Sequence, residues 1–291
     1  MKQLTGILLI AISAASFGTL AIFGRFLYAD GLDTFTMLFL RFGLAALLML
    51  VILLLRREKF PRGKILLPLI GMGAVGYVGQ SFSYLTAIQY ASAGLVALLL
   101  YLYPMFVFIL SVIVFHEKAT WVKIVAILIA LLGTALTVDP AGGQLPGILL
   151  AISAALIYSV YIIVGTNVMK HVSPMQSSLV IFASAGTVYG ILMAFNGVHL
   201  PSTGSGWIIT LCIVLVATVL PVIAFLAGLE RIGPTHAAML STLEPVVTVL
   251  LAAWIFGERL QSIALLGGCM ILMAVILLTR GEAGKIKEFA R

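Results

Sequence analysis

The residue best placed to do chemistry in this sequence is a carboxylate in the middle of an apolar segment. Glu244 precedes Pro245 near the centre of the run from Gly233 to Arg259, which is long enough to cross a bilayer. A charge at that depth is costly, so it indicates a functional position facing a bundle interior or a wet cavity. Three roles stay open for Glu244: it holds a substrate ammonium group, it takes up a proton, or it is a structural carboxyl bonded to a neighbouring helix.

The segment has a twin earlier in the chain. In the run from Ser92 to Lys118, Pro104 corresponds to Pro245, whereas Tyr103 stands where the second copy has Glu244. Proline inside a helix removes a hydrogen bond and displaces a carbonyl of the preceding turn. We therefore predict helix breaks with a gating role at Pro104 and Pro245.

Hydroxyl, amide and aromatic side chains occur at a similar depth in several other segments. Tyrosine in membrane proteins normally prefers the interface, so tyrosines near mid-depth indicate a polar, aromatic cavity. An amide there, such as that of Gln80, has few other uses. The predicted substrate-binding residues are Phe17, Tyr77, Gln80, Tyr84, Tyr101, Tyr103, Tyr158, Ser159, Ser241 and Glu244.

The composition indicates a polytopic membrane protein. Of the 291 residues, 62% are hydrophobic and 9% are charged, and the mean hydropathy is +1.21. The net charge of +7 comes from cations in short loops, so it predicts topology rather than nucleic-acid binding. Cys212 and Cys269 both lie in apolar runs, which argues against a disulfide or a thiolate metal site. We predict no metal and no cofactor.

Ten apolar segments must position these residues. They span roughly 4–28, 33–55, 65–88, 92–115, 119–138, 147–169, 175–195, 207–229, 235–256 and 261–279. Most of the 17 lysines and arginines fall on one side of them, which predicts that both termini are cytoplasmic. Arg25 is expected to snorkel toward headgroups or to pair with Asp30 and Asp33. For Arg41, which lies deeper, that interpretation stays undecided.

The chain repeats itself. Gly6-Ile-Leu-Leu recurs from Gly147, and Ala11-Ile-Ser-Ala-Ala recurs from Ala151. This predicts two domains, 1–139 and 140–291, with five helices each. Because five is odd, the second repeat enters the membrane from the opposite side. The predicted fold is therefore an all-α polytopic membrane protein with ten transmembrane helices in two inverted-topology five-helix repeats around a central cavity, a layout typical of secondary transporters.

Motifs spread over the whole chain carry a resemblance to a known family. They are Phe39-Leu-Arg-Phe-Gly-Leu-Ala45, Ala87-Ile-Gln-Tyr-Ala-Ser-Ala-Gly94 with Tyr103-Pro104 and Phe115-His-Glu-Lys118, and Glu244-Pro245 with Phe256-Gly-Glu-Arg259. They resemble the drug/metabolite transporter superfamily, and within it the ten-helix bacterial transporters with two EamA domains. The resemblance implies a cavity lined mainly by helices 1, 3, 4, 6, 8 and 9, a place in the bacterial inner (plasma) membrane, and export of small metabolites. The aromatic set is similar to that of exporters of aromatic and other neutral amino acids. Phe17-Gly18 departs from the tryptophan that often precedes this glycine in the family.

Two transport functions follow from this set of residues. The first is export of aromatic and other neutral amino acids, with a small-molecule substrate, a lipid bilayer as surroundings and proton coupling left open. The second is multidrug or organic-cation efflux, with Glu244 as the counter-charge. An intramembrane enzyme is disfavoured, because the sequence has no His-Glu-x-x-His motif and no paired aspartates within apolar segments.

Overall fold

The computed structural model describes residues 2–87, 89–91, 93–137, 144–257 and 262–289. Within these ranges the chain is all-α. Its helices are α1 (Lys2–Gly18), α2 (Leu20–Ala29), α3 (Thr34–Leu55), α4 (Leu66–Gly71), α5 (Val78–Ala87), α6 (Ala93–Leu100), α7 (Tyr103–Phe115), α8 (Trp121–Thr137), α9 (Leu145–Val168), α10 (Pro174–Asn196), α11 (Gly204–Val214), α12 (Leu220–Leu240), α13 (Leu243–Phe256) and α14 (Ser262–Phe289). A 3-10 turn at Gly63–Ile65 precedes α4, and π-helical turns occupy Met72–Tyr77 and Leu215–Val219.

These helices account for the ten predicted segments. In the described part of the chain, seven helical stretches are long and apolar enough to cross a membrane, and three shorter apolar helices cover Trp121–Leu136, Leu243–Phe256 and Leu265–Leu278. The stretch Gly204–Leu240 contains the predicted eighth segment and the start of the ninth. The two are separated at Gly233, whose φ of +77° interrupts α12. The predicted all-α polytopic fold is confirmed. Residues 139–143, at the predicted boundary between the two repeats, and the pair Glu258–Arg259 lie outside the described residues.

The chain packs into two compact units, and each unit draws on both sequence repeats. The first unit contains Met1–Ser81 and Val164–Gly233, and the second contains Phe82–Ile163 and Pro234–Arg291. In the first, α3 packs along α10, and in the second α8 packs along α14. These pairs are the second and seventh, and the fifth and tenth, membrane segments. Helices that correspond between the repeats are therefore direct neighbours.

Both helix pairs cross at glycines. In the first unit, a Cβ added to Gly186 would lie 3.1 Å from the backbone nitrogen of Gly43. In the second unit, a Cβ added to Gly133 would lie 2.7 Å from the carbonyl oxygen of Gly267. Small residues let helix backbones approach closely in a membrane, where packing rather than the hydrophobic effect drives association. At both crossings, glycines at equivalent places in the repeats thus allow the two helix backbones to approach closely.

The repeated Gly-Ile-Leu-Leu motif has a similar explanation. A Cβ added to Gly228 would lie 3.1 Å from the carbonyl oxygen of Gly6, and one added to Gly147 would lie 3.1 Å from that of Ala87. The first contact joins α1 to α12 in the first unit, and the second joins α9 to α5 in the second unit. The first glycine of each repeated motif therefore lets its helix pack closely against a small residue of another helix.

Two aspartates connect loops at one end of the first unit. This end is on the side predicted to face outward. Asp30 accepts hydrogen bonds from the Ser202 backbone N–H at 3.0 Å and from the Thr203 hydroxyl at 2.7 Å. Asp33 caps α3 and lies 3.1 Å from Nδ1 of His199. The Thr203 and Ser202 hydrogen bonds hold the pKa of Asp30 below its usual value. The loop before α11 is thereby tied to the turn between α2 and α3.

Candidate functional site

Two broken helices in the second unit form the core of the candidate site. Tyr101 and Leu102 make a turn between α6 and α7, and Ser241 and Thr242 make the equivalent turn between α12 and α13. The proline that follows each turn lies in the first turn of the next helix, where its missing N–H is tolerated. The structure thus places a helix break at both Pro104 and Pro245, while their gating role stays a prediction.

The two half-helices also end alike. His116 follows α7 with φ +53°, and Gly257 follows α13 with φ +66°, so each helix stops at a residue in the left-handed region. Just beyond α7, Glu117 bonds Nζ of Lys123 at 2.6 Å and accepts a hydrogen bond from the buried Thr235 hydroxyl at 2.6 Å. The segment that begins at Pro234 is thereby tied to the end of α7.

The carbonyl that Pro245 was expected to free is occupied by the chain itself. The backbone N–H of Glu244 donates to the Ser241 carbonyl at 3.0 Å. The Ser241 and Thr242 hydroxyls donate to carbonyls of the preceding turn, at 2.9 Å and 2.6 Å. The break is therefore closed by local hydrogen bonds within the chain.

Tyr103 joins several elements of the second unit. Its hydroxyl donates to the Ala238 carbonyl at 3.1 Å, and its own carbonyl accepts a hydrogen bond from Ser159 at 3.2 Å. Its ring packs edge-on against Tyr158 with centroids 4.8 Å apart, and only 3% of the residue is exposed. Ser159 and Ser241 are buried as well. These three predicted binding residues thus have structural contacts, and their role in substrate binding stays a prediction.

Glu244 and three tyrosines are the accessible members of the predicted set in the second unit. Glu244, Tyr84, Tyr101 and Tyr158 are each half-buried. The Glu244 carboxylate interacts electrostatically with Tyr84, Tyr101 and Tyr103. Glu244 also lies in the first turn of α13, where the helix dipole stabilises a negative charge by about 0.3–1 kcal/mol. The arrangement is an anion beside phenol rings, which is suited to a cationic group.

The remaining predicted residues, Phe17, Tyr77 and Gln80, lie in the first unit. All three are half-buried. Phe17 lies at the end of α1, just before the interruption at Thr19. Tyr77 packs edge-on against Phe42 with centroids 5.2 Å apart, and the Gln80 side chain accepts a hydrogen bond from Ser81 at 3.3 Å.

The first unit also contains Arg41, for which the sequence left the snorkelling interpretation undecided. Arg41 on α3 is 5% exposed, donates from Nε to the Thr218 hydroxyl at 2.7 Å and from Nη2 to the Ala217 carbonyl at 3.2 Å. Snorkelling is therefore excluded for Arg41. Tyr189 on α10 is 2% exposed, and within the described residues its hydroxyl has no partner with hydrogen-bond geometry.

The sequence contained a signal for Arg41, an arginine inside an apolar segment, but none that singled out Tyr189. Thr218, which accepts a hydrogen bond from Arg41, lies in the π turn Leu215–Val219. Sequence patterns do not predict such a turn. Among the described residues, no group of three or more His, Cys, Asp or Glu side chains could hold a metal ion.

Comparison with known proteins agrees with this architecture. The profile of the EamA-like transporter family matches residues 4–139 and again residues 145–280. An uncharacterized transporter of Archaeoglobus fulgidus is 29% identical over 273 residues, which cover 93% of this chain and 95% of that protein. The uncharacterized inner membrane transporter YedA of Escherichia coli K12 is 28% identical over 253 residues, covering 83% of this chain and 80% of that protein.

A solved crystal structure shares the fold, with a TM-score of 0.81 at 19% sequence identity, over 95% of this chain and 97% of that one. The two consecutive family matches span nearly all of the sequence and coincide with its internal repeat. This integral membrane protein belongs to the EamA-like transporter family.

Proposed function

We propose that this transporter exports small metabolites, foremost aromatic and other neutral amino acids, by alternating access. The observation that carries the proposal is Glu244, a half-buried carboxylate in the first turn of a broken helix, beside Tyr84 and Tyr101. An ionised carboxylate pairs with an ammonium group, and phenol rings accommodate both a cation and an aromatic side chain. The substrate crosses the membrane chemically unchanged.

The proposal includes the arrangement of the chain. The two five-helix repeats, 1–139 and 140–291, have opposite orientations, and the protein lies in the bacterial inner membrane with both termini in the cytoplasm. The breaks at Pro104 and Pro245 belong to the moving parts, because both repeats share them. Glu244 has no counterpart in the first repeat, so it serves substrate recognition.

Efflux of organic cations is the second candidate, and the same carboxylate supports it. Aromatic rings around an anion recognise quaternary ammonium groups as well as primary ones. The two functions differ in whether the substrate also carries a carboxylate.

Flux from proteoliposomes tests both candidates. Vesicles containing the purified protein are loaded with labelled L-phenylalanine or with labelled tetraethylammonium, and efflux is followed with and without a pH gradient. We expect phenylalanine efflux to fall roughly 10- to 100-fold in Glu244→Gln, because a charged hydrogen bond is worth about 1.5–3 kcal/mol. Glu230→Gln is the matched control, since Glu230 is an exposed acid whose carboxylate lies 3.8 Å from Arg231.

The outcomes separate the candidates. Efflux of tetraethylammonium without efflux of phenylalanine or any other neutral amino acid would favour the second function. No protein-dependent flux of either probe would overturn both. Acceleration by a pH gradient that disappears in Glu244→Gln would assign proton coupling to this carboxylate, whereas equal rates with and without the gradient indicate a facilitator.

A further inference from the structure

The loop between α3 and α4 contains a concentration of positive charge that the proposed function does not use. Residues 56–64, which we call the basic loop, include five basic residues and one acidic residue, which give a net charge of +4 out of the +7 of the whole chain. The acidic residue, Glu58, is half-buried. The five basic residues are all exposed, and they are Arg56, Arg57, Lys59, Arg62 and Lys64. Within the described part of the chain, none of the five forms an ion pair, so their charge is not neutralised by the protein.

The basic loop lies at the surface of the membrane. It joins two membrane-spanning stretches, Thr34–Leu55 and Gly63–Ala87. Leu55, directly before the loop, is 79% exposed, and Leu67, shortly after it, is 77% exposed. Leucines that are exposed on membrane-spanning helices contact lipid chains, so the cations beside them lie at the depth of the lipid headgroups.

Arg57 has a backbone conformation that favours glycine. Its φ is +55°, and among the described non-glycine residues only His116 also has a positive φ. The Arg57 N–H donates to the Leu54 carbonyl at 3.1 Å and the Glu58 N–H to the Leu53 carbonyl at 3.0 Å, the hydrogen-bond pattern of a Schellman helix end. Glycine usually occupies this position because it has no Cβ. An arginine there destabilises the helix end, and residues held in such conformations cluster at functional sites.

The middle of the basic loop is anchored to another helix. The Gln176 side chain on α10 donates from Nε2 to the Lys59 carbonyl at 2.8 Å, and Pro61 is buried. The loop backbone is therefore fixed, while its cationic side chains are exposed. A fixed backbone lowers the entropy cost of bringing several cations to one ligand.

A phosphate headgroup is the ligand that suits such a loop. Guanidinium groups bind phosphate through two parallel hydrogen bonds, and ammonium groups attract it as point charges. The phosphates nearest to a loop at this depth are those of the bilayer itself. A cluster of four or more lysines and arginines directly beside a membrane-spanning helix is typical of binding to anionic lipids.

We propose that the basic loop binds the headgroups of anionic phospholipids such as phosphatidylglycerol, and that Arg57 is retained in its strained conformation for this contact. The proposal predicts a preference between lipids that differ only in headgroup. It concerns the bilayer and not the transported molecule, so its outcome is independent of the proposed function.

Two lipids with identical acyl chains test the inference. Binding of dioleoylphosphatidylglycerol and of dioleoylphosphatidylcholine to the full-length protein in detergent is measured by native mass spectrometry. We expect the wild type to prefer phosphatidylglycerol, and this preference should fall about 10- to 30-fold in Arg57→Gln/Lys59→Gln, because each cation near an anionic surface contributes to binding. Lys118→Gln/Lys170→Gln is the matched control, since it removes two exposed cations outside the basic loop and should retain the preference.

Three results of this comparison would overturn the inference. They are a wild type without a preference, a preference that is unchanged in Arg57→Gln/Lys59→Gln, and an equal loss in the loop variant and in the control. Displacement of bound phosphatidylglycerol by millimolar inorganic phosphate would assign the basic loop to a soluble anion and would overturn the lipid site as well.

Arg57→Gly separates lipid binding from the stability of the helix end. Glycine adopts the left-handed conformation without strain, so this variant should unfold at a Tm about 1–4 °C higher in lipid-free detergent. Its preference for phosphatidylglycerol should nevertheless fall about 3- to 5-fold, because one cation has been removed. A higher Tm with an unchanged lipid preference would show that Arg57 is not retained for lipid binding.

Discussion

Replacing Gly133 by alanine should weaken the contact between α8 and α14. The added Cβ would lie 2.7 Å from the Gly267 carbonyl oxygen and 3.0 Å from the backbone nitrogen of Ile271, whereas ordinary contact begins near 3.4 Å. Both obstacles are backbone atoms, so the two helices must separate by roughly 0.5 Å or more. Overpacking costs about 1–3 kcal/mol, and the upper part of that range, about 2–3 kcal/mol, applies where the obstacle is backbone that cannot rotate away. Alanine recovers up to about 1 kcal/mol through its helix propensity, which leaves a net loss of about 1–2 kcal/mol.

The other helix pair and an open glycine provide graded controls. At Gly186 the nearest obstacle, the Gly43 nitrogen, would be 3.1 Å away, so Gly186→Ala should cost less. At Gly71 no heavy atom lies within 4 Å of the added Cβ, so Gly71→Ala should be neutral or slightly stabilising. Thermal unfolding of purified protein in one detergent measures all three variants.

One kcal/mol shifts Tm by about 2–4 °C in chains of comparable size, so we expect Gly133→Ala to lower Tm by roughly 2–8 °C. Gly186→Ala should fall between Gly133→Ala and the wild type. A Tm for Gly133→Ala at or above that of Gly71→Ala would refute the close crossing of α8 and α14. The two crossings could then not explain why corresponding helices of the repeats are neighbours.

Three further variants test single contacts. Thr235→Val keeps the side-chain shape but removes the 2.6 Å hydrogen bond to Glu117, and it should destabilise the protein by about 1–2 kcal/mol in chemical or thermal unfolding. Ser13→Ala removes the 2.8 Å hydrogen bond to the Pro221 carbonyl and should cost about 1 kcal/mol; an unchanged stability would contradict a bonded Ser13. Asp30→Ala should lower Tm at neutral pH, and its difference from the wild type should shrink as pH falls below about 4. The sign follows because the Thr203 and Ser202 hydrogen bonds lower the pKa of Asp30 in the folded state, so its stabilisation is present above the usual aspartate pKa and is lost as pH falls through the lowered value. A difference independent of pH would mean that the aspartate charge is not involved.

The membrane segments could be predicted because bilayer thickness fixes the length of an apolar run. The helix breaks at Pro104 and Pro245 followed from the missing N–H of proline, which acts locally. The partners of each helix could not be predicted, because apolar residues are distributed around both α3 and α10 and no single face is marked as the contacting one. Only their glycines, Gly43 and Gly186, indicate where a close approach is possible.

In the candidate site, too, the sequence identified single residues but not their partners. A carboxylate inside an apolar segment identified Glu244, since its cost depends on depth alone. Tyr103 has the same position in the first repeat; its burial and its hydrogen bond to the Ala238 carbonyl could not be predicted from the sequence, and its role in substrate binding stays a prediction. The hydrogen bond from Arg41 to Thr218 in the π turn Leu215–Val219 joins residues 177 positions apart, and no local pattern predicts such a pairing.

In each unit, one charged residue inside a membrane segment stands where the other repeat has a neutral residue. In the first unit, Arg41 bonds the π turn Leu215–Val219, whereas at the corresponding contact of the other repeat Ser184 packs against Gly73 in the π turn Met72–Tyr77. In the second unit, Glu244 occupies the position that Tyr103 has in the first repeat. The prolines and the crossing glycines, in contrast, occupy corresponding positions in both repeats, which agrees with the gating role predicted for Pro104 and Pro245. The positions that differ are Arg41 against Ser184 in the first unit and Glu244 against Tyr103 in the second, and in both cases one repeat has a charged residue where the other has a neutral one.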